Sequence, residues 1–282
     1  MIIANFIKGI EFKYKNHYFS GICFDSSKCK KDNIFFAIRG TKIDGNRFIN
    51  HAIQKGAKTI ISNQKFEGIK KKILFIRSSN VRKSLSEFAY TTHKDKPKNI
   101  IAVTGTNGKS TTAEIVYRVL KKQKMDVRLV GNIGNPILSE KNITKKTVFV
   151  IEASSYQLDY SKFFKSNISA ILNISPDHLE RHKTLKNYIR AKFKLIKNQT
   201  KNDYAILNTN NYYIKRELIK QKYLPKIIKI NKRMNSTILK KINNLYFMTD
   251  GNKENLSFVL EIAKIFKIKK KYYLKYWINL MV

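Results

Sequence analysis

Seven consecutive residues, Gly105, Thr106, Asn107, Gly108, Lys109, Ser110 and Thr111, carry the strongest chemical signal in this 282-residue chain. Two glycines let a backbone wrap closely around an anion. Free N–H groups at a helix start donate to phosphate oxygens, and the helix dipole adds favourable potential. A lysine at position 109 would reach terminal phosphates, and the hydroxyl of Ser110 would ligate Mg²⁺. The spacing G-x-x-G-K-S is shorter than the general G-x-x-x-x-G-K-S, so the loop is a variant. An ordinary glycine turn before a helix is the competing reading, and the coincidence of strand, loop, lysine and hydroxyl weighs against it.

Two further polar clusters follow apolar runs. Glu152 leads into Ala153, Ser154, Ser155, Tyr156, Gln157 and Leu158, and Pro176, Asp177 and His178 lead into Leu179, Glu180, Arg181 and His182. If the preceding strands run parallel to the one before Gly105, Glu152 and His178 emerge at the same sheet edge as the glycine loop. Mg²⁺ takes oxygen ligands, one or two of them carboxylates, so Glu152 is the natural metal ligand. A histidine in such a loop is more often a hydrogen-bonded structural residue, and His178 taken alone reads that way.

The elements that must position these groups follow a regular order. Strands are expected at Ile100 to Thr104, Val127 to Val130, Thr147 to Ile151, Ser169 to Ile174 and Tyr204 to Leu207. Helices are expected at Ser110 to Lys122 and at about Leu185 to Lys197. Apolar strands alternating with helices imply a mostly parallel sheet covered on both faces, with ligands beyond the carboxyl ends of its strands. Ahead of it, the runs Asn33 to Ile38, Thr59 to Ser62 and Ile73 to Ile76, with a helical pattern from Arg47 to Lys55, predict a small α/β domain. The polar stretch Lys94, Asp95, Lys96, Pro97, Lys98 marks a boundary, giving domains at residues 1–94 and 98–282. The tail from Phe266 to Val282 reads as a solvated basic helix end.

With 43% hydrophobic and 12% aromatic residues, the composition excludes intrinsic disorder. The 57 Lys+Arg against 19 Asp+Glu leave a net charge of +38. Lysine supplies most of it and isoleucine and asparagine are also abundant, so compositional bias is the first explanation and a polyanion footprint the second. Cys23 and Cys29 have neither zinc-site nor redox-motif spacing, and two cysteines in a chain this long make no disulfide framework, which suggests a reducing cytoplasm. No stretch approaches the ~18 consecutive apolar residues of a membrane span.

Gly105 to Thr111 resembles the ATP loop of the Mur ligases, the enzymes that assemble the peptide stem of bacterial peptidoglycan. Gly131-Asn132-Ile133-Gly134, the run Glu152 to Leu158, and Ser175 to His182 are most similar to the D-glutamate-adding branch of that family. The resemblance covers about residues 98 to 260. It implies a P-loop ATPase domain using ATP and two Mg²⁺ ions, the first held by Ser110 and Glu152 and the second by His178 and a carbamylated Lys192. It also implies that Lys109, His178 and Lys192 are catalytic, that Asn132 faces the muramyl substrate, and that Asn252 and Asn255 lie near the nucleotide. Gly251 stands where the family's H-N-x-x-N motif has histidine.

The N-terminal segment, with Asp25-Ser26-Ser27, Asp32 to Gly40, and Asp44-Gly45 through Phe48, is similar instead to the UDP-binding domain of the branches adding the third residue or the terminal dipeptide. That likeness implies a UDP-sugar site including Ser26 and Ser27, the latter replacing an arginine. The implied reaction is ATP-dependent joining of D-glutamate to UDP-N-acetylmuramoyl-L-alanine through an acyl phosphate, with no nucleic-acid or membrane partner. The family's third domain, which carries the incoming amino acid, is expected to be absent from a sequence ending at Val282. Three alternatives stand beside this reading: a diamino-acid- or dipeptide-adding relative; a truncated or split remnant whose C-terminal domain comes in trans; and, on charge alone, a nucleic-acid binder.

Overall fold

The computed structural model describes residues 1–7, 10–40, 43–92, 97–137, 140–231, 245–247 and 249–269. Most of the expected basic tail, from 270 onward, and residues 94–96 of the expected boundary lie outside the described residues. The chain divides into two compact units, one of Met1–Lys94 with Tyr160–Phe163, the other of Asp95–Asp159 with Phe164–Val282.

The first unit holds β1 (Gly21–Cys23), β2 (Asn33–Phe36), β3 (Thr59–Ser62), β4 (Gly68–Lys70) and β5 (Ile73–Arg77). They form one sheet in the order β1-β2-β3-β5-β4, parallel except for the β4–β5 pair. Alternate residues of β2 enter different cores, as a two-residue side-chain period requires. Ile34 and Phe36 join the cluster containing Val81 and Phe88 of α2 (Val81–Thr92), while Phe35 joins the one containing Ile49 and Ala52 of α1 (Ile49–Gln54). The helical pattern expected from Arg47 begins instead as a 3₁₀ turn at Gly45–Phe48 that runs into α1. The strand expected to reach Ile38 ends at Phe36.

The cysteines correct another expectation. Cys23 and Cys29 are disulfide-bonded, with Cα atoms 5.7 Å apart. The 3₁₀ turn Ser26–Lys28, begun by the Asp25 carboxylate accepting from the Ser27 N–H, folds the chain back so that the end of β1 meets Cys29. Spacing alone did not reveal that turn.

The second unit is a six-stranded sheet, β6 (Asn99–Thr104), β7 (Val127–Gly131), β8 (Val148–Glu152), β9 (Ile168–Ile171), β10 (Tyr204–Asn208) and β11 (Lys226–Ile230), in the order β11-β10-β9-β6-β8-β7. Every pairing is parallel. Its helices are α3 (Lys109–Lys122), α4 (Ser155–Tyr160), α5 (Leu179–His182), α6 (Leu185–Lys197), α7 (Tyr212–Lys220) and α8 (Asp250–Ile265). All five residues of β8 are buried, because α3 and α8 cover one face and α6 the other. Hence β8 reads as a continuous apolar run rather than an alternation.

Strand β6 lies between β8 on one side and β9 on the other, so the chain reverses its direction of travel across the sheet at that strand. A crevice at such a switch point is where open α/β sheets bind ligands. The glycine loop follows β6 directly. The strand expected to run to Ile174 stops at Ile171, because Asn173 turns away to hydrogen-bond the loop.

Candidate functional site

The glycine loop bends where glycine is needed. Gly108 caps α3 with φ of +79°, a left-handed conformation in which a side chain is strained. A Cβ there would also fall 2.3 Å from Asn255 Oδ1, so α8 is seated directly against the loop. Lys109 Nζ donates to Thr106 O at 2.8 Å, which holds the ammonium folded over the loop.

Glu152 ends β8 and is 1% exposed. One of its carboxylate oxygens accepts from Ser110 Oγ at 2.8 Å and the other from Asn132 Nδ2 at 2.9 Å. Asn132 reaches it because Gly131 takes φ of +111° as β7 ends, and the Asn132 N–H donates to Glu152 O. Three residues expected in the site thus meet in one chain, Asn132–Glu152–Ser110. Hydroxyl and carboxylate oxygens are the hard donors that Mg²⁺ takes, so this set fits that ion. Among the described residues no group of three or more His, Cys, Asp or Glu is arranged to hold a metal.

Lys192 lies on the buried stripe of α6 with Tyr188, Ala191, Leu195 and Ile196. Its Nζ donates to Gly105 O at 2.7 Å and lies 4.6 Å from the centre of the Tyr188 ring. Burial, with a smaller push from the Lys109 charge, lowers its pKa to about 7. No contact places His178 beside Glu152. His178 starts α5 with φ of +53°, exposed, its ring near Asp177, Glu180 and Tyr156. Its neighbour His182 is buried instead, 3.0 Å from Ser155 Oγ and stacked on Tyr156. Burial lowers the His182 pKa.

The paired asparagines sit in the first two turns of α8, which Thr249 caps. Asn255 Nδ2 donates to Asn252 Oδ1 at 3.3 Å, and Asn252 Nδ2 donates to Tyr246 O at 2.6 Å. Only Asn255 touches the glycine loop. Gly251 has open space where a side chain would project, so the missing histidine opens no packing defect. In the first unit, Ser26 is buried with Oγ 3.0 Å from His51 Nδ1, while Ser27 donates to Asp25 Oδ1 from both N–H and Oγ. Those bonds hold the Asp25 carboxyl below the usual range.

Sequence reasoning missed Asn173 and Tyr188. Tyr188 OH lies 3.1 Å from Thr106 Oγ1, and burial raises its pKa. The available signal was the place of Tyr188 on the apolar stripe of α6, one turn before Lys192.

Residues 103–278 match the Mur ligase middle domain, and residues 18–115 match the domain described as Mur ligase family, catalytic domain. Among curated proteins the chain is 49% identical over 125 residues to a UDP-N-acetylmuramoylalanine–D-glutamate ligase of Caldicellulosiruptor bescii, covering 44% of this chain and 27% of that protein. It is 37% identical over 204 residues to the ligase of the same name from Rickettsia felis, covering 66% and 45%. To the UDP-N-acetylmuramoyl-L-alanyl-D-glutamate–2,6-diaminopimelate ligase of Rickettsia prowazekii it is 33% identical over 224 residues, covering 70% and 46%. The chain therefore spans less than half the length of these relatives. Among solved structures, a UDP-N-acetylmuramoyl-L-alanyl-D-glutamate–2,6-diaminopimelate ligase superposes with a TM-score of 0.73 at 21% identity, over 100% of this chain and 67% of that one. Thermotoga maritima MurF in complex with ADP superposes at 0.66 and 17% identity, over 93% and 66%.

Proposed function

Because the chain belongs to the Mur ligase family, we propose that it carries the nucleotide and UDP-sugar sites of an ATP-dependent ligase that joins D-glutamate to UDP-N-acetylmuramoyl-L-alanine. The observation that carries this reading is the Asn132–Glu152–Ser110 chain at the mouth of the glycine loop. It sets a buried carboxylate and a hydroxyl beside the loop lysine, where ATP phosphates would lie. Ser110 and Glu152 would hold one Mg²⁺, and His178 with a carbamylated Lys192 a second. Bound there, such ions would supply positive charge against the phosphates.

The residues themselves divide the work. The N–H groups at the start of α3 and the Lys109 ammonium bind and orient the phosphates. Asn132 keeps the Glu152 carboxylate aimed at Ser110 and faces the muramyl group. Asn252 and Asn255 border the nucleotide. In the reaction, the substrate carboxylate attacks the γ-phosphorus and ADP leaves, giving an acyl phosphate. The amine of D-glutamate then attacks the acyl carbon, phosphate leaves and the amine loses a proton. Most of the acceleration in such transfer comes from positioning and charge stabilisation.

The low pKa of Lys192 supports its carbamylation. The ammonium gives up one proton, and the neutral amine then adds to CO₂ and releases a second, so that a cation becomes a carboxylate-like anion. Ser26 and Ser27 serve UDP recognition in the first unit.

Phosphate release with ATP, Mg²⁺ and UDP-N-acetylmuramoyl-L-alanine, with and without D-glutamate, tests the reading alongside direct binding of each ligand. The expected result is saturable binding of ATP and of the UDP-sugar, with any release requiring D-glutamate. Absence of ATP binding would overturn it. A second reading, addition of a diamino acid, is favoured by the longer alignment with the diaminopimelate ligase. Release that follows diaminopimelate rather than D-glutamate would select it.

A further inference from the structure

Resting on the nucleotide reading above, we propose that Asn173 is a positioning residue that divides the donors of the glycine loop between the protein and the phosphates. Its Oδ1 accepts from the N–H groups of Thr106 at 3.0 Å and Asn107 at 2.8 Å, and its Nδ2 donates to Asn107 O at 3.2 Å. Its backbone carbonyl accepts from Thr106 N as well. Just beyond it, Ser175 N donates to Thr106 Oγ1 at 3.0 Å. The first half of the loop is thereby tied to the turn that follows β9.

The second half is left for an anion. The first-turn N–H groups of Lys109, Ser110 and Thr111 have no acceptor within their own helix. The division depends on the chemistry of one amide. Only a side chain with an acceptor and a donor on the same short branch can take two N–H groups and donate one of its own to the carbonyl of Asn107. The parallel pairing of β9 with β6 puts that amide at the right height. A Cβ on Gly105 would lie 3.1 Å from Leu172 Cβ and 3.4 Å from Asn173 N, so the loop rests against this turn with no slack. The same turn continues through Asp177 to His178, which joins the position of the loop to that of the histidine arm.

The test uses the 282-residue protein with Asn173→Ala and Asn173→Asp. Amide hydrogen exchange is measured without nucleotide, and the affinities for ATP with Mg²⁺ and for UDP-N-acetylmuramoyl-L-alanine are measured by calorimetry. In Asn173→Ala, the Asn107 amide is expected to exchange about tenfold faster or more, while the Thr106 amide keeps its bond to the backbone carbonyl of residue 173; ATP is expected to bind about tenfold more weakly, and the UDP-sugar as before. In Asn173→Asp, the carboxylate still accepts both N–H groups, so their protection is expected to persist even where the added charge weakens ATP. Wild-type exchange at the Asn107 amide in Asn173→Ala would overturn the proposal, as would equal loss of its protection in the two variants. If the unaltered protein binds no ATP, the nucleotide reading fails, and the exchange comparison alone decides the role of Asn173 in the loop.

Discussion

Both units carry polar loops at the carboxyl ends of a mostly parallel sheet, yet they hold their polar side chains in opposite ways. In the second unit the bonds to the glycine loop are long in sequence, and two of the side chains that make them, Glu152 and Lys192, are buried. Glu152 bonds to Ser110 across 42 residues, and Lys192 to Gly105 across 87. In the first unit several are local, as where Asp25 accepts from Ser27 at the surface and Asp44 from Asn46 in a half-buried turn, each across two residues. Ser26 to His51 and His17 to Thr59 are longer links. Buried groups in a low dielectric act strongly on charge, and their geometry is fixed by the sheet beneath them. Exposed turns make weaker, adaptable contacts. The contrast is what the proposed function builds on when it gives charge chemistry to the second unit and recognition to the first.

The largest expected effect breaks the second unit alone. Lys109→Ala should abolish nucleotide turnover while UDP-sugar affinity stays unchanged. Phosphate release and UDP-sugar calorimetry check the two halves, and retained turnover would remove the loop from the chemistry. Gly108→Ala should be nearly as damaging, because it adds a Cβ 2.3 Å from Asn255 Oδ1 at φ of +79°. The left-handed strain costs about 1–2 kcal/mol before the clash is counted. A thermal melt should fall accordingly, and ATP binding should weaken with it. Unaltered stability would mean that α8 is not seated against the loop.

Lys192 sharpens the comparison through pH. Its folded-state pKa of about 7 lies below the ordinary 10.5, so between those values the unfolded chain binds the extra proton. Stability must then rise with pH across that window. From pH 7 to 9 the gain from this one group is about 2 kcal/mol. Urea titrations of the protein and of Lys192→Met should differ by that slope, and identical slopes would show that the ammonium is not desolvated.

How much of this was legible follows the same divide. The loop, Glu152 and the order of the strands could be read because a parallel sheet covered on both faces writes its strands as apolar runs with polar residues at their ends. Lys192 could have been found without any resemblance. It interrupts the buried stripe of Tyr188, Ala191, Leu195 and Ile196, where a solvated lysine does not belong. Asn173 was hidden inside an expected strand, since nothing local distinguishes a residue that leaves the sheet to clamp a loop 66 residues away. The Cys23–Cys29 bond was hidden because it depends on a turn made by the Asp25 side chain. Helix α2 was not read from the sequence, where its buried residues Val81, Phe88 and Ala89 are few and spaced among polar ones.

The smallest expected effect tests the first unit on its own terms. Ser26 is the one residue of the Asp25–Ser27 turn that is buried, and its hydroxyl is tied to His51 of α1. Ser26→Ala removes that bond and leaves the His51 nitrogen to find water, at a cost of about 1 kcal/mol. If this turn recognises the UDP-sugar, its affinity should fall a few-fold, roughly in line with that loss, while ATP binding stays at the wild-type value. Competition calorimetry with UDP and with the full sugar nucleotide would show whether the loss lies in the nucleotide part. An equal loss of ATP affinity would break the division of labour drawn above, because a side chain confined to the first unit would then be governing the chemistry of the second.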